Sequence, residues 1–240
     1  LVGLSILTNQ GMGKKRIKKD DEIITPAVTW ATTVYPIVNV GAKPVFVDVE
    51  KETYNIDPEK IEKAITNKTK AIFIVHLLGN PCNMFKIQKI AKKYNLQIIE
   101  DTCEAHGAEF NGKKAGTFGI LSTFSFFASH HITTMEGGMI ATNSEEIYEL
   151  GKSIRTFGWT RELKNKKDFK KNNPDIDSRY LFVNTGYNLR PTELQGAFGI
   201  HQIKKLNKLV RIKISNAKYW NSKLKKYEEF FILPITNQKY

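Results

Sequence analysis

Only two cysteines, Cys82 and Cys103, occur in 240 residues, so no disulfide framework holds this chain. No Cys/His pair stands at metal-ligand spacing. The neighbours His130 and His131 point to opposite sides of an extended chain, so no metal is expected. No apolar run approaches the length that crosses a bilayer, and no membrane partner is expected. Residues 1–7 have no basic stretch ahead of their apolar side chains. They read as the tail of a buried helix rather than as an export signal, which makes the cytoplasm the expected compartment. Internal repeats and low-complexity tracts are also missing, which excludes solenoids and long disordered linkers. Acids are scarce beside bases, 24 against 37, for a net charge of +13. The lysines are scattered, and no nucleic-acid-binding motif accompanies them. The expectation is a solvated surface that attracts an anionic nucleotide diphosphate, with no nucleic-acid partner.

What is present suits one large globular domain, with 41% hydrophobic residues. Six runs (22–28, 44–49, 71–76, 97–102, 121–127 and 138–143) are apolar nearly throughout. Strands buried on both faces have that pattern. Helical patterns separate them. Asp57-Pro58-Glu59 supplies an N-cap, a proline at the first helical position and an acid in the first turn. Met84, Ile87, Ile90, Ala91 and Tyr94 form one apolar stripe. Ser144 caps a helix that turns Ile147, Leu150 and Ile154 inward. This alternation predicts an α/β domain with a largely parallel sheet. Residues 164–177 are charged, contain Asn172-Asn173-Pro174, and are predicted as a loop. From Pro191 one long helix is predicted to about Tyr227, with Leu194, Ala197, Ile203, Leu206 and Val210 among its apolar positions.

Four segments carry candidate chemistry. Residues 97–108 form an apolar strand that ends in acids. Asp101 falls at the strand's C-terminal end, where open α/β sheets place ligands. It would equally serve as the cap of a following helix. Trp30 follows the first strand and suits either a core position or stacking on a ring. Ser125 opens a segment that runs through His130 to Gly137-Gly138, and an imidazole there moves protons near neutral pH. His131 is open between a second titrating group and a structural residue. His106 reads as a packed or hydrogen-bonded structural histidine. Asn188 precedes Pro191 in Gly186-Tyr187-Asn188-Leu189-Arg190-Pro191, a turn into a helix.

The segments 97–108, 125–138 and 186–195 together resemble the DegT/DnrJ/StrS family of sugar aminotransferases. The resemblance implies the fold-type I, aspartate-aminotransferase-like large domain and a pyridoxal phosphate (PLP) cofactor that cycles through pyridoxamine phosphate. In that family a lysine five residues after the serine and six before the glutamate holds the cofactor covalently. Both counts fall here on His130, which cannot form that bond. Together with tryptophan at position 30, where most members carry phenylalanine or tyrosine, this resembles the family's small branch of 3-dehydratases. These act on nucleotide-linked 4-keto-6-deoxysugars in deoxysugar and O-antigen synthesis.

The resemblance further implies a role for each matched residue. Asp101 would sit beside the pyridine nitrogen, and Glu104 near the ring's polar edge. Trp30 would stack on the ring, and Ser125 would touch the cofactor. Asn188 would reach a partner subunit's cofactor phosphate in a homodimer. Glutamate would be the amino donor. One branch carries an iron–sulfur cluster on cysteines in the stretch matching 156–184; none stands there, so no cluster is expected. A plain sugar aminotransferase and a catalytically degenerate regulator are the competing readings. Residues 1–190 are expected to be the cofactor domain, and 191–240 a long helix leading to a small C-terminal domain. The family's phosphate loop and most of that small domain are expected to lie outside this chain, which is read as a fragment.

Overall fold

A computed structural model describes residues 1–235; positions 236–240 of the segment predicted over 191–240 lie outside the described residues. Strands β1 (Glu22–Pro26), β2 (Lys43–Val47), β3 (Thr69–Val75), β4 (Gln97–Asp101), β7 (Leu121–Ser125) and β8 (Gly138–Ala141) form one sheet. Their spatial order is β2-β1-β3-β4-β7-β8. All neighbours are parallel except β7 and β8, which pair antiparallel. The two-residue strands β5 (Glu109–Phe110) and β6 (Lys113–Lys114) make a separate hairpin.

Helices cover both faces, which is why the strands are apolar without alternation. Alternate residues of each strand point to opposite faces. Ile23, Ala71, Phe73 and Ile99 pack with α1 (Val2–Leu7), with α2 (Ala31–Asn39) and with α5 (Glu145–Ile154). Ile24, Ile72, Ile74 and Ile98 pack with α3 (Pro58–Ala64) and α4 (Met84–Tyr94). Met84, Ile87, Ile90 and Ala91 are buried as the stripe predicts, whereas Tyr94 at the helix end lies outward, its hydroxyl donating to Glu62. The Asp57 and Ser144 side chains accept from Glu59 N–H and Ile147 N–H, so both predicted caps form.

Two predictions differ from the structure. Residues 164–177 contain α6 (Lys166–Asn172). Lys170 Nζ donates to the Pro174 and Ile176 carbonyls and closes the turn after it. Asn172-Asn173-Pro174 therefore marks the end of a helix, since the residue before proline avoids the helical region; Asn173 has φ −135° and ψ 64°. The long helix from Pro191 is two helices, α7 (Glu193–Ile203) and α8 (Leu206–Leu224). Lys205 N–H bonds the Gln202 carbonyl, three residues back, and the four-residue ladder stops there. Leu194 and Ile203 are exposed. Their apolar spacing is thus not a packed stripe within the described residues.

Candidate active site

Four of the strands, β1, β3, β4 and β7, run parallel, so their C-terminal ends share one edge of the sheet. Trp30 lies four residues past β1, Asp101 ends β4, Glu104 lies three residues later, Ser125 ends β7, and His130 lies five residues beyond it. Five of the six sequence-selected residues thus gather at the edge where open α/β sheets bind ligands. A larger groove of about 780 Å³, lined by Lys14, Arg16, Lys18, Lys70 and Gln97, opens at the opposite edge, where β3 and β4 begin.

Asp101 is held on both oxygens. Oδ2 accepts from Thr33 Oγ1 at 2.9 Å, and Oδ1 accepts from Cys103 N–H at 3.1 Å. The Thr33 oxygen accepts in turn from Thr29 Oγ1 at 2.9 Å. No helix follows Asp101 before the β5–β6 hairpin, so the helix-cap alternative fails. Trp30 is not a core residue: it is 76% exposed, at the N-cap position of α2, and its carbonyl accepts from Thr33 N–H at 3.0 Å. Sequence reasoning missed Thr33, which ties the Trp30 turn to Asp101.

Glu104 Oε2 accepts from Leu78 N–H at 2.6 Å, which links the loop after β4 to the loop after β3. Leu78 has φ +54° and is exposed. A left-handed non-glycine residue is strained and must be held by its surroundings. The Glu104 carboxylate does that holding.

Ser125 Oγ accepts from Phe127 N–H at 3.2 Å and keeps its own proton available to donate. The loop that follows folds on itself. Phe126 N–H bonds the Gly137 carbonyl, Thr134 N–H and Thr133 Oγ1 bond the Phe126 carbonyl, and His130 N–H bonds the Phe127 carbonyl. Ile132 is buried and anchors it. His130, half-buried, stands in this loop beside His131, and the His131 ring lies 5.6 Å from that of His106.

Burial, then the nearby His130 charge, lowers the His106 pKa to about 4. Burial, then Lys213 of α8, lowers that of His131 to about 4. Burial and the Asp101 carboxylate raise the Cys103 pKa, so this thiol stays protonated. Among the described residues no group of three or more His, Cys, Asp or Glu side chains could hold a metal ion.

Asn188 stands apart. It is exposed, and its backbone bridges Thr156. The segment crosses residues 154–158 so closely that a Cβ on Gly186 would lie 2.1 Å from Gly158 N. Both crossing residues must be glycine, and Gly158 also has φ +83°. That crossing fixes Asn188 facing outward, with no side-chain hydrogen bond among the described residues.

A flat ring with a protonated nitrogen fits this edge. A cavity of about 170 Å³ borders Asp101, Thr32, Phe73, Cys103 and Thr123. The doubly held carboxylate keeps free lone pairs for a charged N–H, and the indole and the Ser125 hydroxyl stand at the same edge.

The comparisons with known proteins agree with that reading of the edge. The chain is 50% identical over 214 residues to the GDP-4-keto-6-deoxy-D-mannose 3-dehydratase of Escherichia coli O55:H7, covering 88% of this chain and 55% of that protein. It is 47% identical over 206 residues to the Yersinia pseudotuberculosis protein of the same name, covering 85% and 52%. A solved structure of the E. coli 3-dehydratase with bound hydrated PLP matches with TM-score 0.85 and 47% identity, over 93% of this chain and 58% of that one. The chain thus spans about half the length of the curated relatives it matches. Its sheet is that of the fold-type I, PLP-dependent large domain. Residues 6–240 match the model of the DegT/DnrJ/EryC1/StrS aminotransferase family, and the chain belongs to that family.

Proposed function

We propose that this chain is the cofactor-binding part of a PLP-dependent enzyme that removes the C3 hydroxyl of a nucleotide-linked 4-keto-6-deoxyhexose. The observation that carries the reading is an imidazole, His130, at the family's lysine position and on the same sheet edge as Asp101. The relatives named 3-dehydratases support it. The cytoplasm, where two unpaired cysteines stay reduced, is its setting.

PLP, when bound, supplies an electron sink next to the bonds that break. The chain's own residues do the rest. Asp101, fixed by Thr33 and by Cys103 N–H, keeps a proton on the ring nitrogen. Trp30 covers one ring face and excludes water there. Ser125 and Glu104 orient the ring's polar substituents. His130 accepts a proton from carbon and returns one to the C3 hydroxyl, which departs as water. Glutamate is the reductant, leaving as 2-oxoglutarate and ammonia. Asn188 completes the phosphate site of a second subunit.

The test treats the full-length protein with PLP and borohydride, then incubates it with glutamate and a panel of nucleotide 4-ketosugars. The expected result is an unchanged polypeptide mass and a 3-deoxy-4-keto product. Lys213, whose charge acts on His131, is the lysine on which one alternative turns. A stable mass increase on Lys213 with an amino-sugar product would establish a plain aminotransferase.

A further inference from the structure

His106 sits in a box of rings. Its centroid lies 5.4 Å from Phe124, 5.8 Å from Phe126 and 5.6 Å from His131, and the residue is 5% exposed. Neither ring nitrogen of His106 makes a hydrogen bond of good geometry, nor does Nδ1 of His131, and the Cys103 backbone is the one polar group that acts on the His106 ring. Burying polar nitrogens without partners costs about 1–3 kcal/mol each by mutational measures, and a leucine would fill such a box without that cost. The box lies where the loop after β4, the end of β7 and the His130 loop meet. His130, adjacent to one imidazole in sequence, is within electrostatic range of both. Helix α8 packs over the group: the Lys213 charge acts on His131, and a Cβ on Gly107 would touch Val210.

We propose that His106 and His131 are positioning residues for His130, a packed pair of imidazoles that fixes the His130 loop against the end of β4. This deepens the dehydratase reading and rests on it. Burial, then His130 at His106 and Lys213 at His131, keep both rings neutral at working pH, so proton transfer falls to His130 alone. The other charge acting on the group is Lys213 from α8. The hairpin contributes Lys114, whose Nζ donates to the Gly107 carbonyl.

The test uses the full-length protein with His131→Asn, His131→Lys, His106→Leu and the His131→Asn/His106→Leu double variant, with His130→Asn as reference. Histidine ring resonances are titrated without cofactor, and the His130 signal is the one lost in His130→Asn. The His106 and His131 signals should stay at their neutral positions down to pH 5. The His130 midpoint should fall by about one pH unit in His131→Lys, because a fixed cation then stands beside it. In the holoenzyme, His131→Asn and His106→Leu should each lower kcat about tenfold with KM unchanged. The double variant should lose little more, because the rings act as one unit. An unmoved midpoint in His131→Lys overturns the proposal. Should that variant fail to fold, parent kcat in both His131→Asn and His106→Leu overturns it instead. Full dehydration by His130→Asn would sink the dehydratase reading, whereas the ring titration still decides the pairing.

Discussion

His76 donates from Nε2 to Glu100 Oε2 at 3.0 Å, with both side chains fully buried. Cys82 N–H donates to His76 Nδ1 at 3.1 Å, which leaves Nε2 to carry the proton that bonds Glu100. The same carboxylate accepts the amides of Gly116, Phe118 and Gly119 at 2.6–2.7 Å. Glu100 and Asp101 are neighbours on β4, so they point to opposite faces. One acid ties the scaffold together, and the other faces the candidate site.

Glu100→Gln should therefore destabilise the fold without touching the cofactor side. An amide group cannot accept all four donors, and one of its own N–H groups would face backbone N–H. Breaking a buried charged network costs about 3 kcal/mol. The denaturant midpoint measures it; a change below about 0.5 kcal/mol would contradict the network's role.

Acid should weaken the fold in two steps. The folded-state pKa of His106 is lowered from 6.5 to about 4, so the unfolded chain binds its proton first. The neutral ring's stability is complete above pH 6.5 and lost as pH falls toward 4. The loss is about 3 kcal/mol, at 1.36 kcal/mol per pKa unit. Glu100 acts lower. Burial alone would raise its pKa, but the His76 bond and the loop amides outweigh that and lower it. Its contribution persists above the usual carboxylate range and disappears only below it. His106→Leu should shrink the first step and leave the His131 share of it, since the His131 pKa is likewise lowered to about 4. Urea melts carried from pH 8 down through and below the carboxylate range separate the two steps.

Much of this architecture was legible in the sequence because strands buried on both faces are written as short apolar runs. Caps such as Asp57 and Ser144 were legible for the same local reason: one side chain meets one amide two or three residues on. The break at Lys204-Lys205 carries no glycine or proline and left no signal. The role of Glu100 was hidden too. An acid within an apolar strand looks like half of an acidic pair until Gly116 and Gly119, distant in sequence, bring their amides to it. Thr33 was hidden likewise, since its partner Asp101 is 68 residues away.

Asp101→Asn tests the electron-sink role. The volume is kept, and one of the two donors, Thr33 Oγ1 or Cys103 N–H, can still bond the single amide oxygen, but the amide cannot hold a charged N–H. Turnover should fall by about three orders of magnitude or more in both half-reactions, with PLP still bound. Absorbance titration checks binding and single-turnover kinetics check rate. Near-parental turnover would reduce Asp101 to a structural link between β4 and α2.

The outward-facing Asn188 makes the last prediction. If it completes a neighbour's phosphate site, each active site takes His130 from one subunit and Asn188 from the other, and the enzyme is an obligate homodimer. His130→Ala and Asn188→Ala proteins should each be inactive. Unfolded and refolded together in equal amounts, they re-pair at random, and half of the dimers are mixed. A mixed dimer has one site carrying both substitutions and one carrying neither. About a quarter of parental activity is therefore the ceiling. Size-exclusion chromatography of differently tagged subunits verifies the mixed species. Verified mixed dimers without activity would place Asn188 within its own subunit's site or outside the chemistry altogether.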